Sequence, residues 1–310
     1  MATEPVLAAL DLAAVGRRDG LIRSDFLSAY WSLTKPEVNF LIAITVAAGF
    51  WIGAPASFAH FPWTSLLNTL VGTVLVSSGA ATLNQLIELR FDAQMKRTAR
   101  RPLVSRRIEP SHALCFGISL SVIGAIYLVV TTNAVASLLS ILTLLGYLFL
   151  YTPLKRRSPL CTLIGALPGA TPPLIGWAAA CGRLDGNAWL LFAIVFLWQF
   201  PHFMAIAWMY REDYSRAGYV VLPGGNSKDR FVAWQTLLPS LALLAVTLVP
   251  AIRGEAGIIH FAGALILGGV FFCYSALFVL QMSAVSARRL LFASILYLPL
   301  LLVFLALDKK

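Results

Sequence analysis

Acidic residues are scarce in this 310-residue chain, with 14 Asp and Glu against 24 Lys and Arg. Charged residues of both signs make up only 12%, where a soluble domain averages about 25%. That shortage excludes an ordinary water-soluble fold. Cysteine is equally sparse. Cys115, Cys161, Cys181 and Cys273 lie in or beside separate apolar runs without Cys-x-x-Cys spacing, so they read as small buried hydrophobes. The first 30 residues lack the long apolar stretch of a secretory signal, and Glu4, Asp11, Asp19 and Asp25 are unlike an acid-poor transit peptide. Alternating segments of about ten residues, the mark of a transmembrane barrel, are missing too.

What is present is continuous apolar sequence. Runs long enough to span a bilayer fall near 37–54, 64–87, 112–131, 134–151, 159–181, 189–209, 231–251, 257–280 and 289–307. They predict an all-α membrane protein of nine transmembrane helices. With the N-terminus inside, the cytoplasmic segments collect 20 of the 24 Lys and Arg, leaving Arg183, Arg253, Lys309 and Lys310 outside. The positive-inside rule therefore predicts N-in, C-out. The same topology, together with anionic lipid, accounts for the net charge of +10 without any nucleic acid. The loop after helix 2 is different, because seven basic residues crowd around Asp92, more than orientation requires.

The long charged loops recur. One follows helix 2 (88–111) and another follows helix 6 (210–230), four helices later. An even offset keeps both on one face, so the repeat is parallel. The expectation is two four-helix bundles plus a ninth helix, with a cytoplasmic segment 1–33, one transmembrane domain 34–310, and the two loops facing each other across a cavity mouth.

Each loop holds an acidic patch. In the first, Asn84, Glu88 and Asp92 are spaced i, i+4, i+8, which on a helix puts them on one face. Arg97 and Arg101 repeat that spacing beyond. The second is Arg211-Glu212-Asp213-Tyr214, with Asp213 the expected ligand. Carboxylates set among Arg and Lys where helices leave the bilayer suit a polyanion held by a divalent cation. Magnesium takes one or two carboxylates plus phosphate oxygens and water, and Arg forks onto phosphate. Lys155, at the inner end of helix 4, is placed to reach a phosphate. Helix 5 is interrupted by Pro168, Pro172 and Pro173 among Gly165, Gly169 and Gly176, and is expected to line the cavity.

These residues carry a resemblance. Asn84-x3-Glu88-x3-Asp92-x2-Met95-x-Arg97-Thr98-x2-Arg101-Pro102-Leu103 resembles the first motif of UbiA-type intramembrane prenyltransferases. Thr34-Lys35-Pro36, Tyr151-Thr152-Pro153-Leu154-Lys155-Arg156, Pro168-Gly169-Ala170-x-Pro172-Pro173, Trp198-Gln199-x-Pro201-His202-Phe203 and Asp213-Tyr214-x2-Ala217-Gly218 agree in order over roughly 30–305. Glu88 replaces the Asp usual in the broad family, and Ala217 stands where a second Asp is usual. Both departures resemble the branch that farnesylates heme.

The resemblance implies transfer of farnesyl from farnesyl diphosphate to a vinyl group of heme b, with Mg2+ as cofactor, in a bacterial inner membrane. The expected roles are Asn84, Glu88, Asp92, Asp213 and Lys155 in catalysis; Glu88, Asp92 and Asp213 on the metal; and Arg97, Arg101, Lys155 and Arg211 on the diphosphate. His202, inside a span, is the expected ligand of heme iron, with Trp198 beside it. Tyr147, Tyr151, Trp177, Trp198, Phe200 and Phe203 are candidates to face an allylic cation. A heme A synthase or terminal-oxidase assembly would take the product. A sibling enzyme with an aromatic or quinone-precursor acceptor, and a transporter, are the alternatives.

Overall fold

The computed structural model describes residues 26–54, 61–223 and 227–309. The first 25 residues, His60 and residues 224–226 of the second charged loop lie outside that set. Among the described residues nine helices are long and apolar enough to cross a membrane. They are α1 (Pro36–Gly53), α2 (Trp63–Ile87), α3 (Pro110–Thr131), α4 (Ala134–Leu154), α5 (Cys161–Cys181), α6 (Gly186–Met209), α7 (Lys228–Ile252), α8 (Ile258–Gln281) and α9 (Ala284–Leu307). A helical segment at 26–33 precedes them.

Most boundaries fall within a few residues of the apolar runs, because chain length across hydrocarbon fixes both. The last is the exception. α9 begins five residues before its run, carrying Arg288 and Arg289 in its early turns, because Ser283 and Ser286 form a capping box there. Asn133 caps α4 by accepting from the Ala136 N–H, and Asp185 caps α6 by accepting from Asn187 and Ala188. α4 is not uniform. Gly146–Tyr151 forms a π-helical turn, a form concentrated at functional sites.

The outward surface is apolar: Leu280 is 82% exposed and Val130 76%. Such residues belong against lipid, where the drive to bury them is absent. Packing inside the bundle relies on small residues. A Cβ on Gly49 would collide with the Pro173 carbonyl, and one on Gly176 with the Val46 carbonyl, so α1 and α5 meet backbone to backbone.

The broken helix is confirmed as two pieces, Cys161–Ala170 and Pro172–Cys181. α5 is the most buried span and packs on α1, α4 and α6. Its small residues let it seat closely on α1. The two pockets described below take no residue from it.

The pairings repeat after four helices: α2 packs on α3 and α3 on α4, as α6 packs on α7 and α7 on α8. α9 closes the ring against α6, α8 and α1. The two charged loops leave the same end and touch. Met95, with Phe91, packs on Ala217, Tyr219, Tyr214 and Val221.

Candidate active site

The first patch does not ride on one uninterrupted helix. α2 ends at Ile87 and Glu88 has a non-helical backbone, followed by a single turn, Leu89–Asp92. The register survives because Glu88 N–H donates to the Asn84 carbonyl and Asp92 N–H to the Glu88 carbonyl, each at 2.9 Å. Beyond Asp92 the spacing argument fails. Residues 93–107 form turns, so Arg97 and Arg101 part company. Arg101 folds back to pair with Asp92, while Arg97 lies over the Tyr210 ring, 5.2 Å from its centroid.

Asn84 is the hub, 1% exposed. Its amide donates to Thr152 Oγ1 at 3.1 Å, and its Oδ1 accepts from Lys35 Nζ and the Tyr147 hydroxyl, both at 3.2 Å. Thr152 in turn donates to the Tyr147 carbonyl, 2.8 Å, across the π-helical turn. One amide thus joins α2, α4 and the turn before α1.

Lys35 was legible only as part of a motif, with no role attached. Its backbone is left-handed (φ 51°), a costly conformation for a non-glycine residue. Neighbours hold it there. Asn39 donates to the Thr34 carbonyl and to Ser78 Oγ, and Gln85 donates to the Leu33 carbonyl. Burial, then the nearby Arg101 and Lys155, push the Lys35 ammonium down to about 7, against the pull of Glu88 and Asp92.

Three carboxylates hold three cations. Lys155 Nζ donates to Glu88 Oε1 at 2.8 Å; Arg101 pairs with Asp92; Arg216 pairs with Asp213. Burial would raise Glu88, but Lys155, Lys35 and Arg101 outweigh it and hold the carboxyl below its usual range. For Asp92 burial wins over Arg101, and its carboxyl lies above the usual range. Burial would lower Lys155, yet Glu88 and Tyr147 raise it. Asp92 Oδ1 is buried with no hydrogen-bond partner among the described residues, an orphan acceptor within the cluster.

No three His, Cys, Asp or Glu side chains gather into a ready metal cage among the described residues. The donors still suit magnesium, which needs only one or two carboxylates when phosphate oxygens and water complete the shell. Asp92, with its free oxygen, is such a donor.

A pocket of about 490 Å³ opens beside Glu88, lined also by Phe91, Thr152, Arg156 and Tyr219. The Arg156 guanidinium lies 4.1 Å over the Phe91 ring, and Lys155 Nζ 4.5 Å over Tyr151. Tyr219, Arg156 and Thr152 carried no role in the sequence, because only folding brings them to Glu88. A second pocket of about 250 Å³ is lined by Arg211, Tyr214, Lys228 and again Tyr219. There Arg211 lies over the Trp208 ring and donates to the Trp208 carbonyl rather than pairing with a carboxylate.

The expected heme pair stands elsewhere on α6. Trp198 and His202 stack with centroids 4.8 Å apart, and both reach Ser294 of α9: the indole donates to its carbonyl and His202 Nδ1 bonds its hydroxyl, each at 2.8 Å. His202 Nε2 has no hydrogen-bond partner among the described residues. Of the aromatic candidates, Tyr147 and Tyr151 join the carboxylate cluster, Phe203 lies beside His202, and Trp177 and Phe200 are buried in packing.

Residues 42–298 match the model of the UbiA prenyltransferase family. A protoheme IX farnesyltransferase of Solibacter usitatus is 45% identical over 90% of this chain and 98% of its own. A digeranylgeranylglyceryl phosphate synthase has the same fold, with a TM-score of 0.74, 17% identity, and coverage of 91% of this chain and 98% of that one. A UbiA homolog from Archaeoglobus fulgidus, solved with GPP and Mg2+, superposes with a TM-score of 0.61 at 14% identity, covering 89% and 99%. This multi-pass membrane protein belongs to the UbiA prenyltransferase family.

Proposed function

We propose that the chain farnesylates heme b, using farnesyl diphosphate and Mg2+, in a bacterial inner membrane with its N-terminus in the cytoplasm. The observation that carries the acceptor is the likeness along almost the full length to a protoheme IX farnesyltransferase. The carboxylate–cation cluster supports the diphosphate half.

Asp92, whose Oδ1 is free, would hold the metal, with Glu88 and Asp213, each paired here with a cation, as the further carboxylates drawn on when it binds. Bound there, Mg2+ supplies positive charge against the diphosphate oxygens. Lys155, Arg101 and Lys35 neutralise the leaving diphosphate from the protein side, with Arg97, which lies over Tyr210, as a further phosphate contact. Arg211, expected on the diphosphate, stands apart from that group.

The bond changes are simple. The allylic C–O bond breaks with its electron pair leaving on diphosphate. The vinyl carbon of heme bonds farnesyl C1, and water adds to the resulting cation with loss of one proton, giving a hydroxyethylfarnesyl side chain. Tyr147 and Tyr151 offer aromatic faces to positive charge. His202, its Nδ1 fixed by Ser294, presents Nε2 to the heme iron. Residues 34–310 act as one catalytic domain, and the product passes to heme A synthesis or terminal-oxidase assembly.

Offering the purified protein farnesyl diphosphate with heme b and, separately, with an aromatic acid acceptor tests the reading. Farnesylated heme is expected. Prenylation of the aromatic acid alone would leave the family standing and reject heme.

A further inference from the structure

The second pocket holds an electrostatic imbalance that the diphosphate chemistry does not use. Arg211 and Lys228 converge on one indole: the guanidinium carbon is 5.2 Å and the ammonium 4.8 Å from the Trp208 ring centroid. Neither makes an ion pair among the described residues. The adjacent carboxylates do not compensate. Asp213 is paired with Arg216, and Glu212 and Asp229 are exposed without an ion pair among the described residues. Trp208 is itself 8% exposed, and its buried Nε1–H lacks an acceptor among the described residues. Two cations lining one pocket, with no carboxylate paired to either among the described residues, favour an anion there.

The pocket's shape narrows what that anion is. At about 250 Å³ it is half the size of its neighbour, and Tyr214, Ser215 and Tyr219 join its lining. It suits the charged arms of a larger molecule more than a prenyl chain. Tyr219 lines both pockets, so a molecule reacting beside Glu88 can extend such arms past that ring. Diphosphate is accounted for by Lys155, Arg101 and Lys35 around Glu88 and Asp92, a group that Arg211 does not join.

Resting on the heme reading above, we infer that Arg211 and Lys228 bind the carboxylate arms of the acceptor, the two propionates of heme, and so orient its vinyl edge toward the diphosphate site. Two cations match two carboxylates, and Arg adds a forked donor geometry.

The test compares heme b with its dimethyl ester as acceptors, in the unmodified protein and in Arg211→Gln and Lys228→Ala. The expected result is a rise of about tenfold or more in KM for heme in each variant, the scale of a lost charge-assisted hydrogen bond. KM for farnesyl diphosphate stays put. The ester shows at least that loss with the unmodified protein and no further loss with either variant. Equal KM for heme and ester in the unmodified protein overturns the inference without any variant having to fold. A raised KM for farnesyl diphosphate in Arg211→Gln returns that residue to the diphosphate. Variants that change only the response to anionic phospholipid, with heme KM unchanged, assign the pocket to a lipid headgroup instead. If the unmodified protein farnesylates no heme at all, the heme reading falls and takes this inference with it.

Discussion

Lys155 donates to Glu88 Oε1 at 2.8 Å and, through its carbonyl, accepts from Val220 N–H at 2.7 Å. One residue at the end of α4 therefore ties the first acidic patch to the strand of chain that follows the second. The side chains are 15% and 7% exposed, so Glu88 is buried and Lys155 half-buried. The contact ties the two loops together.

Removing the cation should show this. Lys155→Met leaves Glu88 buried and unpaired, at a cost of about 3 kcal/mol, while activity falls about a hundredfold. Glu88→Gln added to Lys155→Met should recover most of the stability and none of the turnover. Thermal unfolding beside product formation separates the two effects; recovery of both together would mean that the pair is only structural.

Asp92→Asn and Asp213→Asn should each lower turnover by about a hundredfold or more with the fold intact, since each removes a carboxylate proposed to hold the metal. Circular dichroism and turnover of the two variants check it. Near-normal activity in both would put the metal elsewhere.

The Lys35 ammonium, held near 7, gives diphosphate binding a pH dependence. An arriving anion favours the charged form, so its pKa rises on binding. The sign follows: below pH 7 the ammonium is already charged and affinity is flat. Above pH 7 a proton must be taken up, and affinity falls by up to about tenfold per pH unit until the bound-state pKa is reached. Lys155 is held above its usual range and Glu88 below its own, so both shifts lead away from this range. Titration calorimetry with farnesyl diphosphate across pH reads the slope, and Lys35→Arg should flatten it. An unchanged slope in that variant would assign the proton to another group.

His202→Ala should weaken heme binding and alter the heme spectrum while leaving farnesyl diphosphate affinity alone. An unchanged spectrum and affinity would remove His202 from the iron.

The nine spans were readable because hydrocarbon thickness imposes a length that apolar runs display directly. The start of α9 was not, since Arg288 and Arg289 hide a helix that Ser283 caps. Within the site, spacing carried Asn84, Glu88 and Asp92, whose register is local. It misled at Arg97 and Arg101, where turns replace helix. Lys35, Tyr219 and Lys228 were beyond sequence reasoning. Lys35 depends on a left-handed turn fixed by Asn39 and Gln85, Tyr219 on loops four helices apart meeting at one face, and Lys228 on the start of α7 coming back over Trp208.

The most direct measurement is mass spectrometry of heme b incubated with the purified protein, farnesyl diphosphate and Mg2+ in 18O-labelled water. A product heavier by one farnesyl and one labelled hydroxyl, lost on adding EDTA, is what the account predicts. Unmodified heme, or the same product undiminished in EDTA, would contradict it.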